Sequence, residues 1–368
     1  MTTLTAPASA PTPGGVARLR RNRLLSGLTF PHGVDGYRDA FRPGVGAGTN
    51  AATVVALTTR TSRATSILLR PEVPMTFAAG QHVLVTSDID GVRHTRCYSL
   101  SDTPHRADGL LEITVAYLPD GKVSSHLTQS AQVGQVLGLS APRGRDFILP
   151  ARRPERLVLI GGGSGITPLR SMWRTMAAEG LADRVQVLYY ARTRADALFA
   201  QELGDLADAT IVLTRQDDSG TVAGRFDSQH LSVLGIDPAQ GMVYVCGPSG
   251  LTAVVAEHVA TRHPLADCRV ESFAPAVAPS DPAAAQGVLT FARSGRSAHN
   301  DGATLLDQAE TAGLTPAAGC RMGICHTCIT TKHAGVVRDI RTGQTDDGGD
   351  GEIQLCISQA VGDVQLDL

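Results

Sequence analysis

Four cysteines near the C-terminal end constrain this chain more than any other feature. Cys320, Cys325 and Cys328 are separated by four and then two residues, and Cys356 follows after a further 27. Three thiolates on one short loop approach one side of a metal centre, and the distant fourth completes it from another segment. Two-iron, two-sulfur (2Fe-2S) clusters are held on this spacing. A four-cysteine zinc site is the rival, but zinc sites more often use two compact Cys-x-x-Cys pairs, and this set contains one. Gly319 and Gly323 in the loop let backbone N–H groups turn toward sulfur without Cβ crowding.

At 368 residues the chain exceeds one ordinary core, so two or three domains are expected. Its 42% hydrophobic and 18% charged residues are those of a globular protein. A formal net charge of -2 gives no reason to expect a nucleic acid or an anionic membrane as partner. The remaining cysteines, Cys97, Cys246 and Cys268, are scattered, which fits a reducing compartment and not a disulfide framework. No apolar run reaches the roughly 20 residues of a transmembrane helix. The N-terminus lacks the basic start and apolar core of a secretory signal. The expected location is cytoplasmic, peripheral at a membrane only through a partner.

Residues 1–48 form an N-terminal extension that opens on Ala, Pro, Thr and Gly. Its basic stretch, Arg18 to Leu25, reads as a solvated helix face or packed extension, with a contact surface for a membrane-bound or acidic partner as the alternative. Over residues 49–151 short β-branched runs alternate with glycine turns: Thr53–Leu57, Ala64–Leu69, His82–Val85 and Leu111–Tyr117. That pattern predicts an antiparallel β-barrel.

Over residues 152–275 the pattern changes. Leu157–Ile160 reads as a buried strand that runs into Gly161-Gly162-Gly163-Ser164-Gly165-Ile166-Thr167-Pro168, and a helix follows from Leu169 to Ala178. Strand, glycine turn and helix in that order place backbone N–H groups where a phosphate or dinucleotide binds. No Gly-Lys-Ser/Thr follows, so this is not a Walker loop. Strands at 185–190, 210–213 and 242–245 complete an open α/β sheet, with Cys246-Gly247-Pro248 at its crevice end. An Ala/Pro-rich linker spans 276–286, and residues 287–368 carry a strand at Val288–Phe291, a helix over Thr304–Ala312 and the four cysteines. Asp346–Glu352 reads as a solvated acidic loop.

The stretch Gly319–Cys328 closely resembles the cluster loop of plant-type ferredoxins. Together with the glycine turn and Arg96-Cys97-Tyr98-Ser99, it makes the chain resemble the ferredoxin-NADP reductase superfamily, in the oxygenase and acyl-desaturase reductase type with a fused C-terminal ferredoxin domain. The resemblance implies a multidomain protein: an antiparallel β-barrel flavin domain, an α/β nicotinamide-binding domain and a β-grasp 2Fe-2S domain. It implies that Arg96 neutralises a flavin phosphate, that Tyr98 stacks on the isoalloxazine and that Ser99 bonds its edge. Gly121, Val123, Ser124 and Ser125 match the second flavin motif, whose amides and hydroxyls hold phosphate, with Ser124 as a helix cap the plainer reading. Gly162, Gly163, Gly165, Thr167 and Pro168 match the nicotinamide phosphate loop. Cys246 and Gly247 match the segment beside the nicotinamide ring, with a buried inert thiol as the alternative for Cys246. Glu271 and Phe273 resemble the segment returning toward the flavin, where Glu271 would orient the ring or assist protonation and Phe273 would cover it; ordinary interdomain packing is the alternative.

Arg192 and Arg194 follow the second strand of the α/β domain with no carboxylate immediately beside them, which favours NADPH. Asp196 keeps NADH open. The flavin is expected to be FAD, with FMN open. The implied function is transfer of electrons from NADPH through FAD and the 2Fe-2S cluster to a protein acceptor, a membrane fatty-acyl desaturase or similar oxygenase. Alternatives are service to a Rieske non-haem oxygenase or a cytochrome P450 and, from another class, a redox-sensing or scaffold flavoprotein. Arg321 is expected to raise the cluster potential or meet the acceptor, and His326 to tune the site or recognise the partner.

Overall fold

Among the described residues, sixteen strands form three separate sheets, each with its own hydrophobic core. The computed structural model describes residues 49–119, 121–216, 222–264, 266–273, 285–319, 321–323 and 326–368. The extension expected at 1–48, the linker residues 276–284, Cys320 and Cys325 lie outside these.

The first sheet contains β1 (Asn50–Thr61), β2 (Ala64–Pro71), β3 (His82–Ile89), β4 (Val92–Ser99), β5 (Leu111–Ala116) and β6 (Val136–Leu139), all paired antiparallel in the order β4-β3-β6-β1-β2-β5. The edge strands meet through a bridge between Leu100 and Ile113, which curls the sheet toward the expected barrel. Alternation puts Ile67, Leu69, Val83, Val85, Ile113 and Val115 into one core. Helix α1 (Lys122–Gln129) adds Val123 and Leu127 to it.

The second sheet is parallel, with β7 (Leu157–Gly162), β8 (Val185–Ala191), β9 (Ala209–Leu213), β10 (Met242–Gly247) and β11 (Cys268–Ser272) in the order β11-β10-β7-β8-β9. Leu157, Val158, Leu159 and Ile160 are all fully buried, as a strand covered on both faces requires. The helices are α2 (Ile166–Ala178), α3 (Ala200–Gly204), α4 (Ser228–Val233) and α5 (Ser249–Arg262). Helix α2 begins three residues before the predicted start. Pro168 fits its first turn because an N–H there has no intrahelical acceptor. Met172, Trp173 and Met176 are buried, as the periodicity predicts. Strand order reverses between β7 and β10, so the ligand crevice of this fold opens there.

The third sheet joins β12 (Val288–Phe291), β13 (Arg296–His299), β14 (Ile329–Asp339), β15 (Gly351–Gln354) and β16 (Ser358–Leu366) in the order β13-β12-β16-β14-β15. Only β12 and β16 run parallel; α6 (Leu305–Thr311) packs Leu305, Leu306 and Ala309 onto the sheet, the β-grasp arrangement. Thr304 caps α6 by accepting from the Asp307 N–H. The acidic segment after it is more than a solvated loop. Asp346 pairs at 3.0 Å with Lys332, whose side chain is 1% exposed, because a buried ammonium needs a counter-charge and acceptors. The carbonyls of Gly335 and Gly349 supply those acceptors. No helix among the described residues is long and apolar enough to cross a membrane.

Candidate functional site

Strand β4 carries Arg96, Tyr98 and Ser99 in register with Val85, Val83 and His82 of β3. The Ser99 hydroxyl is buried and has no hydrogen-bond partner among the described residues. Leaving a buried hydroxyl unsatisfied is costly, so a polar group of a bound molecule fits beside it. Arg96 spends one guanidinium nitrogen on the Thr95 carbonyl at 2.8 Å, with donors remaining for an anion. Burial raises the Tyr98 phenol well above its ordinary value, so the ring stays neutral.

Ser124 and Ser125 knit the turn before α1. Ser124 Oγ donates to the Gly121 carbonyl at 3.0 Å and accepts from the Leu118 N–H at 3.3 Å, while Ser125 Oγ donates to the Leu118 carbonyl at 3.2 Å. A Cβ on Gly121 would lie 2.3 Å from Ser124 Oγ, so only glycine lets this turn close. Neither serine is the helix cap. With these hydroxyls engaged, the unpaired N–H groups of the first turn, Val123 among them, are what α1 offers a phosphate.

At the crevice of the parallel sheet, backbones nearly touch. A Cβ on Gly165 would sit 2.2 Å from the Cys246 carbonyl oxygen, one on Gly162 2.6 Å from Leu251, and one on Gly247 3.0 Å from the Gly162 nitrogen. Gly163 adopts φ +54 with open space around it. Thr167 is buried, and its hydroxyl donates to the Ser164 carbonyl at 2.9 Å; it stabilises the loop.

Gly162, Gly163 and Gly247 line a cavity of about 910 Å³, while Gly165 lies outside it, packed against Cys246. One wall belongs to the first sheet (Thr61, Arg63, Tyr117), the other to the second (Gly162, Gly163, Gly247, Pro248, Phe273). The far end is lined by Arg192, Asp196, Arg215 and Arg225. Arg194 does not line it; Arg215 and Arg225 do, and neither was singled out in the sequence. Each lies beyond β9, and a guanidinium past the carboxyl end of a parallel strand is the signal that would have found them. Asp196 Oδ2 accepts from Thr193 Oγ1 at 2.8 Å, which holds the carboxylate to its own turn.

Cys246 is fully buried among core side chains and does not line the cavity. Burial, with the nearby Glu271 charge adding to it, pushes the thiol well above its ordinary range, so it is a neutral group without nucleophilic character. Glu271 pairs with Cys246 across β10 and β11 and is 8% exposed.

In the third domain Cys328 and Cys356 are each 3% exposed, and the Cys356 N–H points at Cys328 Sγ at 3.5 Å. Amide donors to sulfur are the outer support an iron-sulfur centre uses. Among the described residues no third His, Asp or Glu joins them. Gly323 (φ +75) passes under Ile357 so closely that a Cβ would lie 2.8 Å from it. Arg321, expected to face the cluster or an acceptor, is ion-paired to Glu310 and Asp307 of α6, while His326 is exposed. The loop also docks on the flavin sheet: Met322 packs with Leu84 and Cys97, and Arg143 Nη1 donates to Thr327 Oγ1 at 3.3 Å. Cys97 is therefore a packing residue between the two modules.

Three family models match in sequence order: an oxidoreductase FAD-binding domain over 53–147, an oxidoreductase NAD-binding domain over 159–257, and a 2Fe-2S iron-sulfur cluster binding domain over 289–361. An NADPH oxidoreductase of Mycobacterium tuberculosis (strain ATCC 25618 / H37Rv) is 32% identical over 351 residues, 94% of this chain and 91% of the relative. The chain belongs to the ferredoxin-NADP reductase superfamily, in the group with a fused 2Fe-2S domain. The ferredoxin reductase component of 3-ketosteroid-9-alpha-monooxygenase from the same strain is 31% identical to this reductase over 290 residues, 73% of the chain and 78% of the relative. The solved structure of phthalate dioxygenase reductase superposes with a TM-score of 0.63 at 25% identity, covering 87% of this reductase and 98% of that chain. This reductase is an NAD(P)H-dependent oxidoreductase with flavin, nicotinamide and 2Fe-2S domains.

Proposed function

We propose that the reductase takes electrons from NADPH, passes them through FAD and the cluster, and delivers them singly to a fatty-acyl desaturase or similar oxygenase. The observation that carries the NADPH part is the cavity end lined by Arg192, Arg215 and Arg225, where three guanidiniums suit the dianionic 2'-phosphate better than a ribose diol. Asp196 at the same place accepts from Thr193 with one oxygen and keeps the other for a ribose hydroxyl, so the NADPH reading rests on the guanidiniums.

Bound flavin converts the two-electron chemistry of nicotinamide into single-electron transfer. The protein's part is to hold and separate the groups. Arg96 neutralises flavin phosphate, Tyr98 supplies a neutral ring to stack on, and Ser99 gives its orphan hydroxyl to the flavin edge. Gly162, Gly163, Gly165 and Gly247 allow the dinucleotide to lie against bare backbone. Glu271 orients and Phe273 covers the ring end of the cleft. Cys320, Cys325, Cys328 and Cys356 ligate the cluster, and Met322 and Thr327 seat it on the flavin domain. In this reading the modules are 49–151, 152–275 and 287–368.

The acceptor is assigned from the resemblance to desaturase-serving reductases. A Rieske oxygenase or a P450 is the second reading, favoured by relatives that are reductase components of monooxygenases. Anaerobic reduction with stoichiometric NADPH, followed optically and by low-temperature electron paramagnetic resonance, tests the relay. Flavin bleaching with an anisotropic spin-one-half signal is expected; neither signal would overturn it. Addition of purified desaturase or oxygenase then decides the acceptor by which one reoxidises the cluster.

A further inference from the structure

Arg170 on α2 is a charged residue whose side chain is only 1% exposed, and it touches three parts of the molecule at once. Its guanidinium forks onto Glu202 of α3, with Nε to Oε2 at 2.8 Å and Nη2 to Oε1 at 2.9 Å. Nη1 reaches across to the flavin domain, donating to Glu112 Oε1 of β5 at 3.0 Å and to the Ser101 carbonyl at 2.8 Å. The same guanidinium lies over the Phe199 ring, 4.4 Å from its centroid. Phe199 has φ +56, a left-handed conformation that a bulky side chain adopts only where its surroundings over-determine it.

These partners do not line the cavity themselves; they belong to two segments that lead to it, one on each domain: Ser101 with Glu112 of β5, and Phe199 with Glu202 of α3. Ser101 lies two residues beyond Ser99, the flavin-facing end of β4. Helix α2 is the continuation of the glycine loop. Phe199 adjoins Leu198, which lines the cavity near Asp196. The grip repeats beside it and one turn further along α2: Ser171 Oγ donates to the Asp102 carbonyl at 2.7 Å and Arg174 pairs with the Asp102 carboxylate at 2.7 Å. The segment after the flavin strand is thus held by the nicotinamide helix as well as by its own sheet. Arg60 flanks the same group, reaching Glu112 at 3.2 Å and Glu202 at 3.8 Å, and Arg174 reaches Glu202 at 3.5 Å. Such a largely buried ion cluster is a poor source of stability, since apolar side chains of equal volume often serve as well or better. What directional, charge-assisted bonds supply is a fixed register.

We propose that Arg170 is a positioning residue that sets the stacking distance between the nicotinamide and flavin sites by locking the angle between the two domains. This rests on the reading above, in which NADPH reduces the bound flavin. Arg170 does not line the cavity and acts through Ser101, Glu112, Glu202 and Phe199.

The test is anaerobic stopped-flow mixing of the full holoenzyme with NADPH, reading the limiting rate of flavin bleaching and the long-wavelength charge-transfer absorbance of stacked nicotinamide and flavin. In Arg170→Met the limiting rate is expected to fall about 10- to 100-fold, with the charge-transfer absorbance lost and the NADPH dissociation constant moved less than about threefold. Flavin content and reduction by dithionite are expected to stay at the wild-type level. Arg170→Lys, which restores charge but not the fork, is expected to fall between. A folded Met or Lys variant with the wild-type absorbance and limiting rate overturns the assignment. Should the Met variant fail to fold, Arg170→Lys and Glu202→Gln decide, and wild-type behaviour in both overturns it equally. Failure of NADPH to bleach the wild-type flavin is a separate result that removes the function itself.

Discussion

Arg143 of the flavin domain donates to Thr327, one residue before Cys328, across a separation of 184 positions in sequence. The bond ties the cluster loop to the module expected to reduce it, and Met322 seats the same loop against Leu84 and Cys97. Neither residue ligates anything, so the pair separates docking from chemistry.

Arg143→Ala removes the hydrogen bond to Thr327, a contact worth about 0.5–1.5 kcal/mol, and its loss lowers occupancy of the docked pose by up to about tenfold. Cytochrome c reduction, which needs the cluster, is expected to slow by up to that factor. Ferricyanide reduction, taken directly from flavin, is expected to hold. Equal losses in both assays would show that the contact does not govern transfer between the modules.

Cys328→Ser and Cys356→Ser each remove a proposed cluster ligand. Cytochrome c reduction is expected to vanish together with the paramagnetic signal, while NADPH still bleaches flavin. Loss of flavin reduction with flavin retained would contradict the order of the relay.

Neutral substitution of Arg192, Arg215 or Arg225 removes a charge-assisted contact worth about 1.5–3 kcal/mol. The NADPH KM is expected to rise about 10- to 100-fold, and the NADH KM to change far less. Steady-state kinetics with both nucleotides would expose the reverse case: parallel changes would mean that these guanidiniums do not meet the 2'-phosphate.

Hydrogen bonding from Arg153, helped by His105, holds the Glu179 carboxyl down at about 2, against an ordinary 4.5. A depressed carboxylate contributes stability that is present above the unfolded value of 4.5 and lost as pH falls toward 2. Glu179→Gln is therefore expected to flatten the acid limb of stability between those values and leave the neutral region little changed. Thermal melts of both proteins across that range would reveal it, and an unchanged acid limb would remove the linkage.

The parts legible in the sequence were those whose chemistry is local. The cysteine spacing, the glycine turn and the buried run Leu157–Ile160 each carry their meaning within a few residues; the structure puts the glycine turn and Leu157–Ile160 in the parallel sheet and its first crossover, and Cys328 and Cys356 in the third core, while Cys320 and Cys325 lie outside the described residues. Strand β4 was invisible as a strand because Val92–Ser99 lacks alternating apolar residues, and it was found only as a motif. Arg215 and Arg225 are far from Arg192 in sequence, and parallel strand order alone brings them to one cavity. Arg170 and Met322 were unreadable for a related reason: an arginine or methionine in a helix or loop takes its role from what a distant segment places against it. Thr167 and Ser124 show the converse, since their motif positions were legible while the structure spends their hydroxyls on the loops themselves.

The glycine contacts between β7 and β10 put bare backbone in the floor of the cleft, beside Pro248 and Leu251. Under the proposed function, holding the nicotinamide falls to this backbone and to the domain angle that Arg170 fixes, whereas nucleotide preference falls to the exposed Arg192, Arg215 and Arg225. The two traits are therefore separable: the rim can be rewritten to accept a different nucleotide without disturbing the surface on which the reaction occurs.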